Sequence, residues 1–168
     1  MANDGTFLNL EAGKKKRNDA LEVSTGASDG GKIVKTDSTG RFDPSLMPVG
    51  IGADTQEIVS FEDLVAGDFV NIFDDGGTPS VRKADASNGR DANGFVLTGV
   101  TAPALATVYF EGTNTQLSAM TPAARQYLGT SGAVTGTPNT TTGQLHQYLG
   151  KASSATELNI ELADCILL

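Results

Sequence analysis

The chain has 168 residues, with 39% hydrophobic and 19% charged, so its length suits one domain, or one domain with an extension, able to bury a core without metals. Its net charge of −8 repels phosphate backbones, and nucleic acid is not an expected partner. The single cysteine, Cys165, excludes an internal disulfide framework, and no apolar run of membrane-spanning length is present.

The N-terminal stretch MANDGTFLNLEAGKKKR has no apolar segment ahead of a cleavage site. It is therefore not read as a signal peptide, and synthesis in a cytoplasm is expected. Residues 1–54 are rich in Gly, Ser and Asp, carry the cluster Lys14–Arg17, and hold only brief apolar pieces at Phe7–Leu10, Leu21–Val23 and Ile33–Val34. Each piece is too small to offset a backbone ordering cost of roughly 1–2 kcal/mol per residue. In DPSLMPVG, Pro44 fixes φ after Asp43, and Pro48 turns Met47 away from the helical region. The expectation is an extended, largely irregular N-terminal arm that gains order by lying on another surface.

From residue 55 the pattern changes to short strands with turn punctuation. QEIVSF precedes a turn at DLVAGD, DFVNIF alternates, and DDGG supplies a tight reversal before PSVRKADA. A polar turn, SNGRDANG, leads to GFVLTGV, and in ATVYFEG the residues Val108 and Phe110 should face opposite Tyr109. LSAMTPAARQYL reads as a helical turn, with Thr121 as cap and Pro122 in the first position. QLHQYLGKAS and TELNIELADCILL close the chain as further strands, Cys165 being expected in the core. About eight strands at this spacing predict an all-β domain over residues 55–168, a small antiparallel β-barrel or sandwich. The tetrapeptide QYLG, at 126–129 and again at 147–150, is read as two strands ending alike at one rim.

Chemistry-bearing motifs are weak. GASDGGKI places Gly26, Gly31 and Lys32 at phosphate-loop spacing, but Ile33 stands where a magnesium-binding hydroxyl belongs. The terminal CILL fits a prenylation pattern, yet acidic, strand-like residues precede it. DSTG at 37–40 has one residue too many for an aspartic-protease triplet, and Asp74–Asp75 lack calcium-loop spacing. His146 has no second histidine or neighbouring cysteine with which to share a metal, and Asn139–Thr141 is a glycosylation sequon in a Thr-rich loop. No catalytic set, cofactor or metal site is expected.

The runs DGGKIVKTDSTGRFDPSLMPVGIGADT, VAGDFVNIFDDGGTPSVRKADA, NGFVLTGV, ATVYFEGTNTQLSAMTPAARQYLGT and QYLGKASSATEL resemble capsid cement (head decoration) proteins of tailed bacteriophages over roughly residues 30–162. The resemblance implies a structural protein, not an enzyme, on the outer surface of the virion. There it would bind the major capsid protein, stabilise contacts between its subunits, and self-associate as a trimer or dimer, with no nucleic-acid or membrane partner. Similar modules occur in phage head or tail fibres, so a module for host or glycan attachment is the alternative. Capsid contacts are expected from Ile33, Val34, Phe42, Leu46, Met47, Val49 and Ile51, with charge pairing from Lys32, Lys35 and Arg41.

Overall fold

A computed structural model describes residues 5–47 and 54–168. Two compact units divide the chain, residues 1–52 and residues 53–168. The architecture is all-β, with only single 3-10 turns among the described residues.

The N-terminal unit begins with a hairpin, β1 (Thr6–Glu11) and β2 (Lys14–Asp19), paired antiparallel from Thr6↔Asp19 to Glu11↔Lys14. Its two-residue loop, Ala12–Gly13, holds both φ angles positive, at 49° and 77°, as a type I′ turn requires. Ala12 is an unusual residue for that conformation, and four consecutive basic residues give β2 no alternation. The hairpin therefore departs from the irregular arm that the sequence pattern predicts here.

The second unit opens with a closed barrel built from β3 (Thr55–Ser60), β4 (Phe69–Asp75), β5 (Thr78–Lys83), β6 (Gly94–Val96) and β7 (Leu105–Tyr109), in the order β3-β5-β4-β6-β7. Four of the pairings are antiparallel and β3–β5, which completes the circle, is parallel. The DDGG reversal forms as expected: Asp75 faces Thr78, Gly76 and Gly77 carry φ of 63° and 95°, and the Gly77 N–H donates to Asp74 Oδ1 at 2.7 Å.

The remaining strands are β8 (Thr113–Asn114), β9 (Arg125–Leu128), β10 (Val134–Thr135), β11 (Leu145–His146), β12 (Tyr148–Ala152), β13 (Leu158–Ile160) and β14 (Ile166–Leu167). Five of them form a sheet in the order β10-β9-β12-β13-β8, while β11 pairs with β14.

Period-two alternation builds two cores from the same strands. Val70 and Val96 point into the barrel with Ile58, Val81, Ala106 and Val108. Their neighbours Phe69 and Phe95 point out of it and pack with Leu128, Leu149 and Leu158 of the second sheet. Tyr109 joins that second core, stacking on Phe95 at 5.4 Å between ring centres, opposite Val108 as the alternation predicts. Buried amides cross between segments. Gln147 accepts from the Ala92 N–H at 2.7 Å and donates to the carbonyls of Ala92 and Ala163 at 2.9 and 3.1 Å. Asn114, fully buried, donates to the Gly67 carbonyl at 2.9 Å.

Three expectations are corrected. Thr121–Ala124 is a β-turn and not a helical turn: Ala123 has φ 65° and the Ala124 N–H donates to the Thr121 carbonyl at 3.1 Å, so Pro122 occupies the first central position of a type II turn. Cys165 is exposed, not buried, because among the described residues β14 pairs only with β11, and Ile166 and Leu167 lie 60% and 69% exposed. The two QYLG copies lie on β9 and β12, which pair antiparallel with Tyr148 opposite Tyr127, so they run in opposite directions and do not end at one rim.

Phe95→Ala should cost about 3–5 kcal/mol, because it empties the junction of the two cores. Phe61→Ala, at a side chain 58% exposed, should cost a small fraction of that. Urea unfolding followed by near-ultraviolet dichroism compares the two; equal midpoints would contradict the two-core arrangement.

Candidate docking surface

Among residues 5–47, none of those whose burial is described is buried. Seven large apolar side chains in that span are exposed by between 41% and 70%: Leu8, Leu10, Val23, Ile33, Val34, Phe42 and Met47. What orders this unit is hydrogen bonding to backbone and carboxylates.

Leu21 serves as a backbone splint. Its N–H donates to the Ile33 carbonyl at 2.8 Å and its carbonyl accepts from the Lys35 N–H at 2.9 Å, holding residues 33–35 extended. Lys35 pairs with Glu22 at 3.0 Å. Both Ile33 and Val34 remain outward, at 53% and 44% exposed.

Three aspartates each close a turn. Asp29 accepts from the Thr25 N–H at 2.6 Å, the Thr25 hydroxyl at 2.9 Å and Lys32 Nζ at 2.5 Å. The lysine of the near phosphate loop is thus held by a carboxylate of its own turn. Asp37 Oδ1 accepts from the Thr39 N–H, the Thr39 hydroxyl and the Arg41 N–H at 2.8, 2.7 and 3.0 Å, so DSTG is a self-closed loop. Asp43 accepts from the Ser45 N–H at 2.9 Å and starts the 3-10 turn Pro44–Leu46. The Ser24 N–H donates to Ser45 Oγ at 2.8 Å and ties this turn back to the earlier segment.

The expected contact residues therefore fall into two groups. Lys32, Ile33, Val34 and Lys35 form one strip. Arg41, Phe42, Leu46 and Met47 surround the second turn, with Leu46 half-buried and Phe42 and Met47 exposed. Val49 and Ile51 lie outside the described residues. Leu8 and Leu10, at 70% and 69% exposed, were not among the expected contacts. They alternate along β1 on the same face as their cross-strand partners Arg17 and Lys15, and Arg17 Nε donates to the Thr6 hydroxyl at 3.1 Å. The other face, with Phe7 and Asn9, lines a hollow of about 610 Å³ together with Leu21 and Ile33.

Charge is distributed unevenly. Residues 1–52 carry seven Lys/Arg against seven Asp/Glu, whereas residues 53–168 carry five against thirteen, so the whole net charge of −8 belongs to the second unit.

No family model and no curated protein matches the sequence. Among solved structures, the head fiber N base of bacteriophage phi29 superposes with a TM-score of 0.44 at 11% identity, over 66% of this chain and 95% of that one. A likeness of that size leaves function to be argued from this chain's own residues.

The three turns carry a pH signature. Asp29 is held well below the usual 3.8, first by Lys32 and then by Thr25; Asp37 is lowered chiefly by the Arg41 N–H, and Asp43 chiefly by Ser45. A carboxylate whose folded value is depressed stabilises its turn above the unfolded value and loses that contribution as pH falls through the folded one. The amide shifts of Thr25, Thr39, Arg41 and Ser45, followed by NMR, should titrate with midpoints below 3.8. Midpoints at the ordinary value would show that these bonds do not persist in solution.

Proposed function

We propose that this chain is a structural protein of a tailed-phage virion, held on the outer surface of the head by its N-terminal unit. There it acts as a cement between major capsid protein subunits. The observation that carries this reading is the N-terminal unit, whose described residues form no buried core, are ordered by hydrogen bonds and present seven exposed apolar side chains. The sequence resemblance over residues 30–162 to cement proteins supports the same reading.

Magnitudes bear on how such attachment works. Fully burying a large apolar side chain contributes ~1.5–3 kcal/mol. These side chains are already about half covered, so completing their burial yields roughly 5–10 kcal/mol for all seven. Association itself costs about 4–15 kcal/mol. A single unit on a single site is therefore marginal, and firm attachment calls for several linked units, each raising the local concentration of the next. Self-association as a trimer or dimer on the head supplies that linkage.

A second reading, a head- or tail-fibre module for host or glycan attachment, is favoured by one observation: three aromatic rings gather on an outward sheet face of the second unit.

Purified protein should co-sediment saturably with expanded phage heads that lack it and raise their melting temperature. The full-length double variant Ile33→Asp/Phe42→Asp should bind at least tenfold more weakly, since the two changes together remove ~1.5–3 kcal/mol of burial on docking. A chain lacking residues 1–52 should not bind at all. Full occupancy by the truncated chain would refute the docking role, and no binding by the intact protein would favour the fibre reading.

A further inference from the structure

The two QYLG copies put the same side chains on the same faces of neighbouring strands. Gln126, Leu128, Gln147 and Leu149 are buried, while Tyr127 and Tyr148 point away from the core. Because the strands are antiparallel and Tyr148 lies opposite Tyr127, the two rings meet edge to face at 6.0 Å. His146 adds a third ring, 5.2 Å from Tyr127. At one end, the Arg125 guanidinium sits 5.6 Å from the centre of the Tyr148 ring. The Glu161 carboxylate is near enough to help raise the pKa of the Tyr148 hydroxyl, after burial, which is the larger cause.

At the other end the rings adjoin a groove of about 330 Å³. Two contacts make them continuous. Thr135, a groove residue, is the cross-strand partner of Tyr127, and the carbonyl of Asn139, another groove residue, lies 3.3 Å from His146 Nδ1. The groove walls supply the hydroxyls of Thr130, Thr135, Thr137 and Thr140 and the amides of Asn139 and Gln144, with Leu128 among its apolar lining. Among the described residues, none that lines it is charged.

We infer that this ring face and its adjoining groove form a binding site for a neutral carbohydrate, one pyranose stacking on the tyrosines and its neighbour entering the groove. Hydroxyls and amides both donate and accept, which suits a ligand whose every group does the same. A partly exposed tyrosine ring offers an apolar face to the C–H groups of a sugar while its hydroxyl serves as a polar handle, and the two rings, edge to face, wall the sugar from two sides. Arg125 and Glu161 stand at the rim to hold vicinal hydroxyls. The cavity exceeds the size of a monosaccharide, and its lack of cations tells against phosphate or nucleotide ligands. The charge of −8 on the surrounding unit also opposes uronic or sialic acids. This inference gives the fibre reading a site and a ligand class, and it does not depend on what the N-terminal unit binds.

The test uses the intact, isotope-labelled protein without heads, so that its outcome is separate from capsid attachment. Methyl glycosides of glucose, galactose, mannose and N-acetylglucosamine, then short neutral oligosaccharides containing them, are titrated and amide shifts recorded. The expected result is a saturable shift confined to residues 125–148, Glu161 and the groove residue Ala86, stronger for oligosaccharides than for monosaccharides. Tyr127→Ala should weaken it roughly tenfold and Tyr127→Phe should not. Thr135→Val, which keeps the β-branched shape, should weaken it roughly fivefold. Unchanged thermal melting of Tyr127→Phe and Thr135→Val separates lost binding from lost folding. No shift with any probe, shifts elsewhere, or tighter binding of glucuronide than of glucoside would overturn the inference. So would a protein partner that occupies this face while the sugars leave it unmoved.

Discussion

The second unit depends on burial of one sheet wall from both sides. On β4 and β6 every residue of the Phe69–Val70 and Phe95–Val96 pairs is essentially fully buried, the valines inside the barrel and the phenylalanines outside it. A barrel wall ordinarily alternates apolar with polar residues, and two phenylalanines on its outer side demand a cover. The β10-β9-β12-β13-β8 sheet provides that cover with Leu128, Leu149 and Leu158. Gly94 shows how close the fit is: a Cβ there would lie 2.7 Å from the Tyr109 carbonyl oxygen. Once the inner face of the covering sheet is committed to the phenylalanines, its other face must look outward. That is why Tyr127 and Tyr148, out of phase with Leu128 and Leu149, are presented to solvent together.

The N-terminal unit follows the opposite logic. None of its residues with described burial is buried, so shape comes from local bonds: three aspartates that gather N–H groups, and for Asp29 and Asp37 also hydroxyls, of residues two to four positions away, and Leu21 splinting residues 33–35. Such turns need no partner to form, because their donors and acceptors are nearby in the chain. They leave the apolar side chains between them uncovered. A pre-shaped segment loses less conformational entropy on docking than a disordered one of equal length.

Legibility in the sequence divides along the same line. Strands whose alternation is sustained, as in FVNIF and ATVYF, were readable because one face must be apolar. The glycine pair after Asp75 was readable because few other residues tolerate that turn. The hairpin of residues 6–19 was not, since alanine occupies a positive-φ position and KKKR has no period. The turn at Thr121–Ala124 failed for a related reason. Pro122 serves equally at a helix start and at the first central position of a type II turn, and only the φ of Ala123 separates them. Cys165 was misplaced because an apolar terminal run looks like a core strand whether or not another layer covers it. The ring face was hidden in plain view: QYLG repeated at 126 and 147 is visible, but its meaning depends on the two copies pairing antiparallel, which no local pattern states.

Charge asymmetry between the units bears on crowding of many copies on one surface. Eight negative charges on each of two second units, taken as points ~30 Å apart in water, would repel by about 9 kcal/mol without salt. With a Debye length of ~8 Å at physiological ionic strength, that falls to about 0.2 kcal/mol. The acidic surface therefore discourages intimate contact between second units but scarcely opposes their standing side by side. The N-terminal unit, with balanced charge and exposed leucine, isoleucine, phenylalanine and methionine, has no comparable barrier to contact. One chain thus joins a charge-balanced segment with exposed apolar side chains to an acidic domain whose repulsion acts only at short range.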